Sequence, residues 1–96
     1  MPLVVRPAAA ADIDDAYLWY ERQRPGLGEE FLVAADAAQA LVAGSPTRFP
    51  VIHRSTRRVL IHRFPYAIYY RIYGEVVLVV ACMHGRRDPR RWMSRR

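Results

Sequence analysis

The chain is poor in cysteine and has no lysine among its 96 residues. Its one cysteine, Cys82, stands inside an apolar run, where a thiol usually packs as a small buried hydrophobic group. An intramolecular disulfide is therefore excluded. No run approaches the roughly 18 apolar residues of a membrane-spanning helix, and the N-terminus has neither the basic start nor the long apolar stretch of a signal peptide. We therefore expect a soluble protein of the cytoplasm that does not bind membranes.

Composition and charge further limit the class of protein and the partners that it can bind. Hydrophobic residues make up 52% of the chain and charged residues 25%, which excludes a disordered protein and predicts one folded domain, residues 1–96. Residues 1–48 contain 4 arginines and 7 acidic residues, net −3, whereas residues 49–96 contain 11 and 2, net +9. Arginine offers a planar fork of donors to carboxylate or phosphate. The expected partners are therefore an acidic protein, a nucleic acid or both.

The first half has the pattern of a short strand followed by two helices. Residues 2–6 are apolar and β-favouring, and Pro7 is expected to end the strand. The first helix has Asp12 as its predicted N-cap and an apolar stripe at Ile13, Ala16, Tyr17 and Tyr20. The residues at 24–26 should stop it. The second helix is predicted over residues 29–43, with Gly44 at its C-terminal cap, and the short link between the two helices predicts an antiparallel hairpin.

The second half has the period of β-strands. Residues 47–55 contain Pro50 and are predicted to be a connection held by Phe49 and Val51. Three antiparallel strands are predicted at residues 57–63, 66–73 and 76–84, with a two-residue turn at Gly74 and Glu75. The last of them is apolar on both faces, so it is expected inside the sheet.

The C-terminal residues predict an ordered corner. Asp88 and Pro89 have the pattern of an N-cap with proline at the first helical position, so a short helical turn should follow. Trp92 is expected to fold back and anchor this turn, while Arg95 and Arg96 are expected to form a frayed, solvated end. The predicted class is therefore α+β, with a short N-terminal strand, an antiparallel helix hairpin packed on an antiparallel sheet, and a short C-terminal helical turn.

Four segments resemble the toxins of the RelE/ParE superfamily, which belong to type II toxin–antitoxin systems. They are "DIDDAYLWYERQRPGLGEEFL" at 12–32, "SPTRFP" at 45–50, "RRVLIHRFPYAIYYRI" at 57–72 and "HGRRDPRRW" at 84–92. Together they cover nearly the whole chain and are most similar to the ParE-like, or plasmid-stabilisation, branch. The resemblance implies the fold described above. It also implies a toxin that a cognate acidic antitoxin neutralises by wrapping its C-terminal segment along it.

The resemblance leaves the cellular target open. The ParE branch is associated with inhibition of DNA gyrase, and the RelE branch with cleavage of mRNA on the ribosome. A third alternative is a remnant that binds antitoxin but is no longer toxic. In each case the expected assembly is a hetero-oligomer with the antitoxin, with a toxin dimer as a further option.

Nuclease chemistry needs a proton acceptor, cations beside the scissile phosphate and a donor for the leaving oxygen. If the chain is a nuclease, the expected catalytic residues are Arg71, His84 and Arg86. RelE-like toxins use a cluster of lysine and arginine with a tyrosine near the C-terminus. This chain has no lysine and has Trp92 in that region, and an indole cannot act as a general acid at neutral pH. We therefore favour a gyrase inhibitor without catalytic residues, metal or cofactor.

The residues expected to bind the antitoxin or the target are aromatic or cationic. Trp19 lies off the apolar stripe of the first helix. Contact with the second helix or the sheet edge would explain it, but it is included here as part of an exposed apolar patch on which the antitoxin docks. The clustered arginines near the C-terminus should repel one another unless an acidic group joins them. Tyr69 is included as well, although packing in the sheet is the more common role of a tyrosine in such a strand. The full set is Trp19, Tyr69, Arg71, His84, Arg86, Arg87, Arg90 and Arg91.

Overall fold

The computed structural model describes residues 1–85 and 89–95. In chain order the elements are β1 (Leu3–Val5), α1 (Pro7–Gln23), α2 (Leu27–Gly44), β2 (Val51–His53), β3 (Thr56–Leu60), β4 (Tyr66–Tyr73), β5 (Val76–His84) and α3 (Pro89–Met93). The strands form one sheet in the order β1-β5-β4-β3-β2. β1 runs parallel to β5, and the other neighbours are antiparallel. The predicted α+β class is confirmed.

The helix hairpin forms as predicted, but α1 begins earlier than expected. The predicted N-cap at Asp12 is wrong, because the helix starts at Pro7 with Arg6 as N-cap. Proline is pre-organised for the first helical position, and the alanines at 8–11 have the highest helix propensity, so they extend the helix backwards. Asp12 therefore lies inside the helix, where its side chain is available for tertiary contacts.

Gly28 allows α1 and α2 to approach closely. A Cβ atom at this position would lie 2.8 Å from the ring and from the carbonyl oxygen of Tyr17. Side chains larger than hydrogen would therefore push the helices apart at the start of the hairpin. The first turn of α2 also has its amide groups satisfied from α1, since the Glu21 carboxylate accepts hydrogen bonds from the Gly26 and Gly28 backbone N–H groups.

The three predicted strands of the second half are present as β3, β4 and β5. The bounds of β4 and β5 match the prediction, while β3 ends at Leu60 rather than at residue 63. Gly74 adopts a φ of 57° in the predicted two-residue turn. As predicted, β5 lies inside the sheet, between β1 and β4.

The predicted connection at residues 47–55 contains a further strand, β2. Pro50 precedes this strand and so removes no hydrogen bond from it, and β2 forms the edge of the sheet, where such short strands are tolerated. Phe49 packs against the core as expected, but Val51 is 49% exposed and does not anchor the segment. Arg54, in the tight turn after β2, has a φ of 51°.

The face of the sheet against α1 and α2 carries the larger core, which we call the helix-face core. Its centre is aromatic: the Phe31 ring lies 5.3 Å from those of Tyr20 and Phe64. Alternation along β4 sends Ile68 and Tyr70 into this core. None of the helices in the described part of the chain is both long and apolar enough to cross a membrane.

The opposite face of the sheet, the outer face, carries a smaller core. This outer-face core consists of Ala67, Tyr69, Val80, Ala81, Met83 and Trp92. Trp92, on α3, is 6% exposed, and its ring stacks on that of Tyr69 at 4.6 Å and 15°. The prediction that Trp92 folds back as an anchor is confirmed.

A bulge in β5 changes which residues face each core. The register shifts between Tyr69, which is opposite Ala81, and Tyr70, which is opposite Val79. Val80 is therefore the extra residue, and it packs on the outer face together with its neighbour Ala81. Cys82 is thereby turned into the helix-face core.

Candidate functional site

Two clefts lie near the C-terminal helix. The first, here called the α1 cleft, has a volume of about 420 Å³ and lies between α1, the start of β4, the end of β5 and α3. The second, the outer-face cleft, has a volume of about 400 Å³ and lies beside the turn between β2 and β3. Of the predicted site residues, Trp19, His84 and Arg91 line the first cleft and Arg71 lines the second.

The wall of the α1 cleft on the helix side is a single stripe of side chains. Asp12, Asp15, Ala16 and Trp19 recur at spacings of three and four residues, so they share one face of α1. Trp19 is 52% exposed, and its ring meets that of Tyr20 edge-on at 5.1 Å. The structure thus places Trp19 on the surface, as expected from the sequence, and its role in binding remains a prediction.

The opposite wall of the α1 cleft is cationic and aromatic. His84 ends β5, and its ring lies 5.8 Å from the Tyr66 ring. Arg91 reaches the same cleft from α3, where it is exposed, and Arg90 is exposed beside it. A ligand in this cleft would meet carboxylates on one side and a guanidinium with an imidazole on the other.

Behind this cleft, an ion pair fixes the C-terminal segment to α1. Both terminal nitrogens of Arg95 donate to the Asp12 carboxylate, and the Arg95 side chain also donates to the Val80 carbonyl at 3.3 Å. Asp12 Oδ2 accepts a further hydrogen bond from the Cys82 backbone N–H at 3.0 Å. The prediction that Arg95 belongs to a frayed end is therefore wrong.

The bulge in β5 and the short β1 explain this arrangement. β1 pairs with β5 only as far as Val79, so the backbone groups of Val80 and Cys82 lie beyond the end of β1 and need other partners. Asp12 and Arg95 supply them. Burial, with a smaller contribution from the Asp12 charge, raises the pKa of the Cys82 thiol to about 12. Cys82 is accordingly a protonated packing residue.

The outer-face cleft holds Arg71 in a fixed position. It is lined by His53, Arg54, Ser55, Arg71, Met93 and Ser94. Arg71 Nε donates to the hydroxyl of the fully buried Thr56 at 3.1 Å, and its Nη1 lies 3.5 Å from the Tyr73 hydroxyl. The sequence did not single out Arg54, although its place in a tight turn next to a β-strand is a typical position for a ligand-binding side chain.

Tyr69 is not at the surface. It has 0% exposure and lies beneath Trp92, so in this fold it cannot contact an antitoxin or a target as the sequence led us to expect. Burial raises the pKa of its hydroxyl, and the nearby Arg58 guanidinium lowers it in part. The expectation failed because period-two alternation identifies a face of the sheet but does not reveal that a helix later in the chain covers it.

Of the residues expected for a nuclease, the two that the structure describes, Arg71 and His84, do not converge. Arg71 lies on the outer face and His84 in the α1 cleft, next to the helix face. Arg86 lies outside the described residues, as does Arg87. Within the described ranges, no group of three His, Cys, Asp or Glu side chains could hold a metal ion.

Comparisons with known proteins agree with this architecture. Residues 3–89 match the family model described as the ParE toxin of the type II toxin–antitoxin system parDE. A solved structure titled "Chromosomal ParDE TA system from P. aeruginosa" is similar, with a TM-score of 0.70 and 22% identity over 88% of this chain and 95% of that one. No curated protein matches the chain at a significant level. Because the family model spans most of the sequence, this chain belongs to the ParE toxin family of type II toxin–antitoxin systems.

Proposed function

We propose that the chain acts in the cytoplasm as a toxin that a cognate acidic antitoxin neutralises, and that the free toxin inhibits DNA gyrase by binding it. The observation that carries this proposal is the family match over residues 3–89. The charge of the chain, +6 overall and +9 within residues 49–96, supports an acidic partner.

The α1 cleft is the surface that best fits a segment of the antitoxin. Its rim offers the exposed indole of Trp19, and its far wall offers Arg91 and His84. An apolar side chain of the antitoxin would bury Trp19, while a neighbouring carboxylate would pair with Arg91. Of the two carboxylates in the opposite wall, Asp12 is already paired with Arg95, so only Asp15 would repel such a segment.

Inhibition by binding, rather than by hydrolysis, is supported by the separation of Arg71 and His84, the two residues predicted for a nuclease that the structure describes. Cleavage of RNA needs a base and a cation within hydrogen-bond reach of the same phosphate. Arg71 and His84 lie in different clefts, on opposite faces of the sheet. Toxicity through tight association with a large target requires no such convergence.

The proposal is tested by two assays on one preparation of the free chain. We expect it to block supercoiling by gyrase and to leave ribosome-bound mRNA intact. The reverse outcome would assign a RelE-like nuclease, and Arg71→Ala should then abolish cleavage. Inactivity in both assays, together with retained binding of the antitoxin, would assign a non-toxic remnant.

The antitoxin surface is tested by co-expression with an adjacent small acidic reading frame. We expect Trp19→Ala and Arg91→Glu each to weaken the complex at least about tenfold, which is typical of a central aromatic contact or a reversed charge. Leu41→Ala is the control, because Leu41 is similarly exposed at 50% but lies on α2, away from the cleft. Size-exclusion chromatography of the complex would give its stoichiometry. Equal weakening by the control would place the antitoxin elsewhere.

A further inference from the structure

The outer-face cleft contains more positive charge than the described part of the chain neutralises. Among the described residues, the cleft is lined by no acidic side chain and by two arginines. Arg54 forms no hydrogen bond or ion pair with any residue in the described ranges. Two guanidinium groups facing one cavity repel each other unless an anion lies between them. The cleft is therefore arranged for an anionic ligand.

Arg71 is held in place before any ligand arrives. Its Nε donates to Thr56 Oγ1 at 3.1 Å, and Thr56 is fully buried. A guanidinium has five N–H donors, and the contacts with Thr56 and Tyr73 use two of them. The remaining donors form a fork whose orientation is fixed, which lowers the entropy cost of binding.

Arg54 is exposed, and it is its backbone rather than its side chain that is constrained. It stands in the tight turn between β2 and β3 with a φ of 51°, in the left-handed region that side chains other than glycine rarely occupy. Such conformations persist where the surrounding structure holds them and occur often at binding sites. The turn projects the arginine from the rim of the cleft, while the next residue, Ser55, contributes a hydroxyl to its lining.

The other groups around the cleft favour a nucleotide phosphate over a side-chain carboxylate. Ser55 adds a hydroxyl donor, which suits an oxyanion with several oxygens, whereas the Ser94 hydroxyl already donates to the Arg91 carbonyl at 3.4 Å. Tyr73 is 51% exposed beside Arg71, and the His53 ring lines the cleft edge-on to Trp92 at 5.9 Å. Aromatic surfaces interleaved with arginine are typical of sites that bind single-stranded nucleic acid.

We propose that the outer-face cleft binds a backbone phosphate of a nucleic acid, through Arg54 and Arg71. This site is distinct from the α1 cleft assigned to the antitoxin, and it goes beyond the proposed function because it requires neither gyrase nor a toxic effect. A toxin with such a site could contact the nucleic acid that its target holds as well as the target protein.

The test is fluorescence anisotropy of a short labelled single-stranded DNA with the full chain. We expect Arg54→Ala and Arg71→Ala each to weaken binding about tenfold or more, as removal of a charge-assisted hydrogen bond does. Thr56→Val should weaken it by a smaller factor, because Arg71 remains but is no longer oriented. Arg22→Ala is the matched control, since it removes the same charge from an exposed position in the last turn of α1. Its effect should stay within about twofold.

Three outcomes would overturn the proposal. The first is failure of the unaltered chain to bind the DNA at low salt. The second is equal weakening by Arg22→Ala, which would reduce the interaction to general electrostatics. The third is displacement of the DNA by acetate as effectively as by inorganic phosphate at matched ionic strength, which would make the cleft a carboxylate site. If thermal melting shows that the Arg71→Ala variant is unfolded, Arg71→Lys takes its place. Lysine keeps the positive charge but lacks the planar fork of donors, so this variant should also weaken binding.

Discussion

The helix-face core and the outer-face core pack on the same strands but are covered very differently. The helix face lies under two helices of 17 and 18 residues, whereas the outer face lies under α3, a helix of five residues. An isolated helix of five residues is not stable in water, so α3 depends on its tertiary contacts. Trp92 and Arg95 supply those contacts. Stability is therefore concentrated on one face of the sheet, and both clefts are bordered by the weakly held segment at 89–95.

The helix face should dominate the free energy of unfolding, and Phe31→Ala tests this most strongly. Phe31 is fully buried, and its ring lies 5.3 Å to 5.4 Å from those of Tyr20, Phe64 and Tyr66. We expect a loss of about 3–5 kcal/mol, measured by urea denaturation followed by circular dichroism. Val33→Ala, on the same helix but 68% exposed, should change stability by less than about 0.5 kcal/mol. A loss under about 1 kcal/mol for Phe31→Ala would contradict the assignment of the main core.

Cys82 should make the stability of the helix face depend on alkaline pH. Burial raises its pKa from 9.0 to about 12, so the folded protein keeps the thiol protonated while the unfolded chain loses the proton. The stabilisation is fully present below pH 9.0 and is lost as the pH rises from there towards about 12. Over that window the slope is about 1.4 kcal/mol per pH unit.

The measurement is urea denaturation under reducing conditions at a series of pH values above 9.0. The buried tyrosines also have raised pKa values and contribute to the pH dependence. The contribution of Cys82 is therefore obtained as the difference in the free energy of unfolding between the unaltered chain and Cys82→Ala. This difference in the free energy of unfolding should fall by about 1.4 kcal/mol for each unit of pH within the window. Parallel pH profiles for the two proteins would show that Cys82 is not protected from deprotonation in the folded state.

Truncation of Trp92 should have a smaller effect, confined mainly to the outer face. We expect Trp92→Ala to cost about 2 kcal/mol, below the usual range for a buried tryptophan, because α3 can detach without unfolding of the sheet. Hydrogen exchange should show loss of protection in α3 and at the end of β5, with little change in α1 and α2. Trp92→Phe, which keeps a ring against Tyr69, should retain most of the stability. Global loss of protection would mean that the two faces unfold as one unit.

The sequence predicted most reliably those features that local patterning determines. Period-two alternation placed β4 and β5, and the run of apolar residues on both parities identified β5 as an interior strand. The arginine-rich C-terminal segment and Trp19 were recognised as candidate binding residues because charge and exposed aromatic area are visible in the sequence. These features need no knowledge of the tertiary fold.

Features that join distant residues could not be predicted in this way. Asp12 and Arg95 are separated by 83 residues, and their pairing depends on a bulge in β5 that sequence alternation does not show. The sequence predicts an N-cap at Asp12 because acidic residues commonly occupy that position, whereas the helix begins five residues earlier, at Pro7. The covering of Tyr69 by Trp92 and the three-residue edge strand β2 were missed for the same reason, since both are set by contacts between separate elements.

The Arg95–Asp12 ion pair should contribute the smallest of these effects, but more than an exposed pair does. The side chains of Arg95 and Asp12 are 24% and 10% exposed. Arg95→Ala leaves the Cys82 N–H as the remaining hydrogen-bond donor to the Asp12 carboxylate among the described residues. Because both groups retain some contact with water, we expect a loss of about 1–2 kcal/mol, below that of a fully buried pair. Arg24→Ala, which breaks the exposed pair with Glu30, should cost less than about 0.5 kcal/mol. A double-mutant cycle with Asp12→Asn measures the coupling free energy between Arg95 and Asp12. A coupling free energy no larger than that between Arg24 and Glu30 would show that Arg95 does not hold α3 against α1.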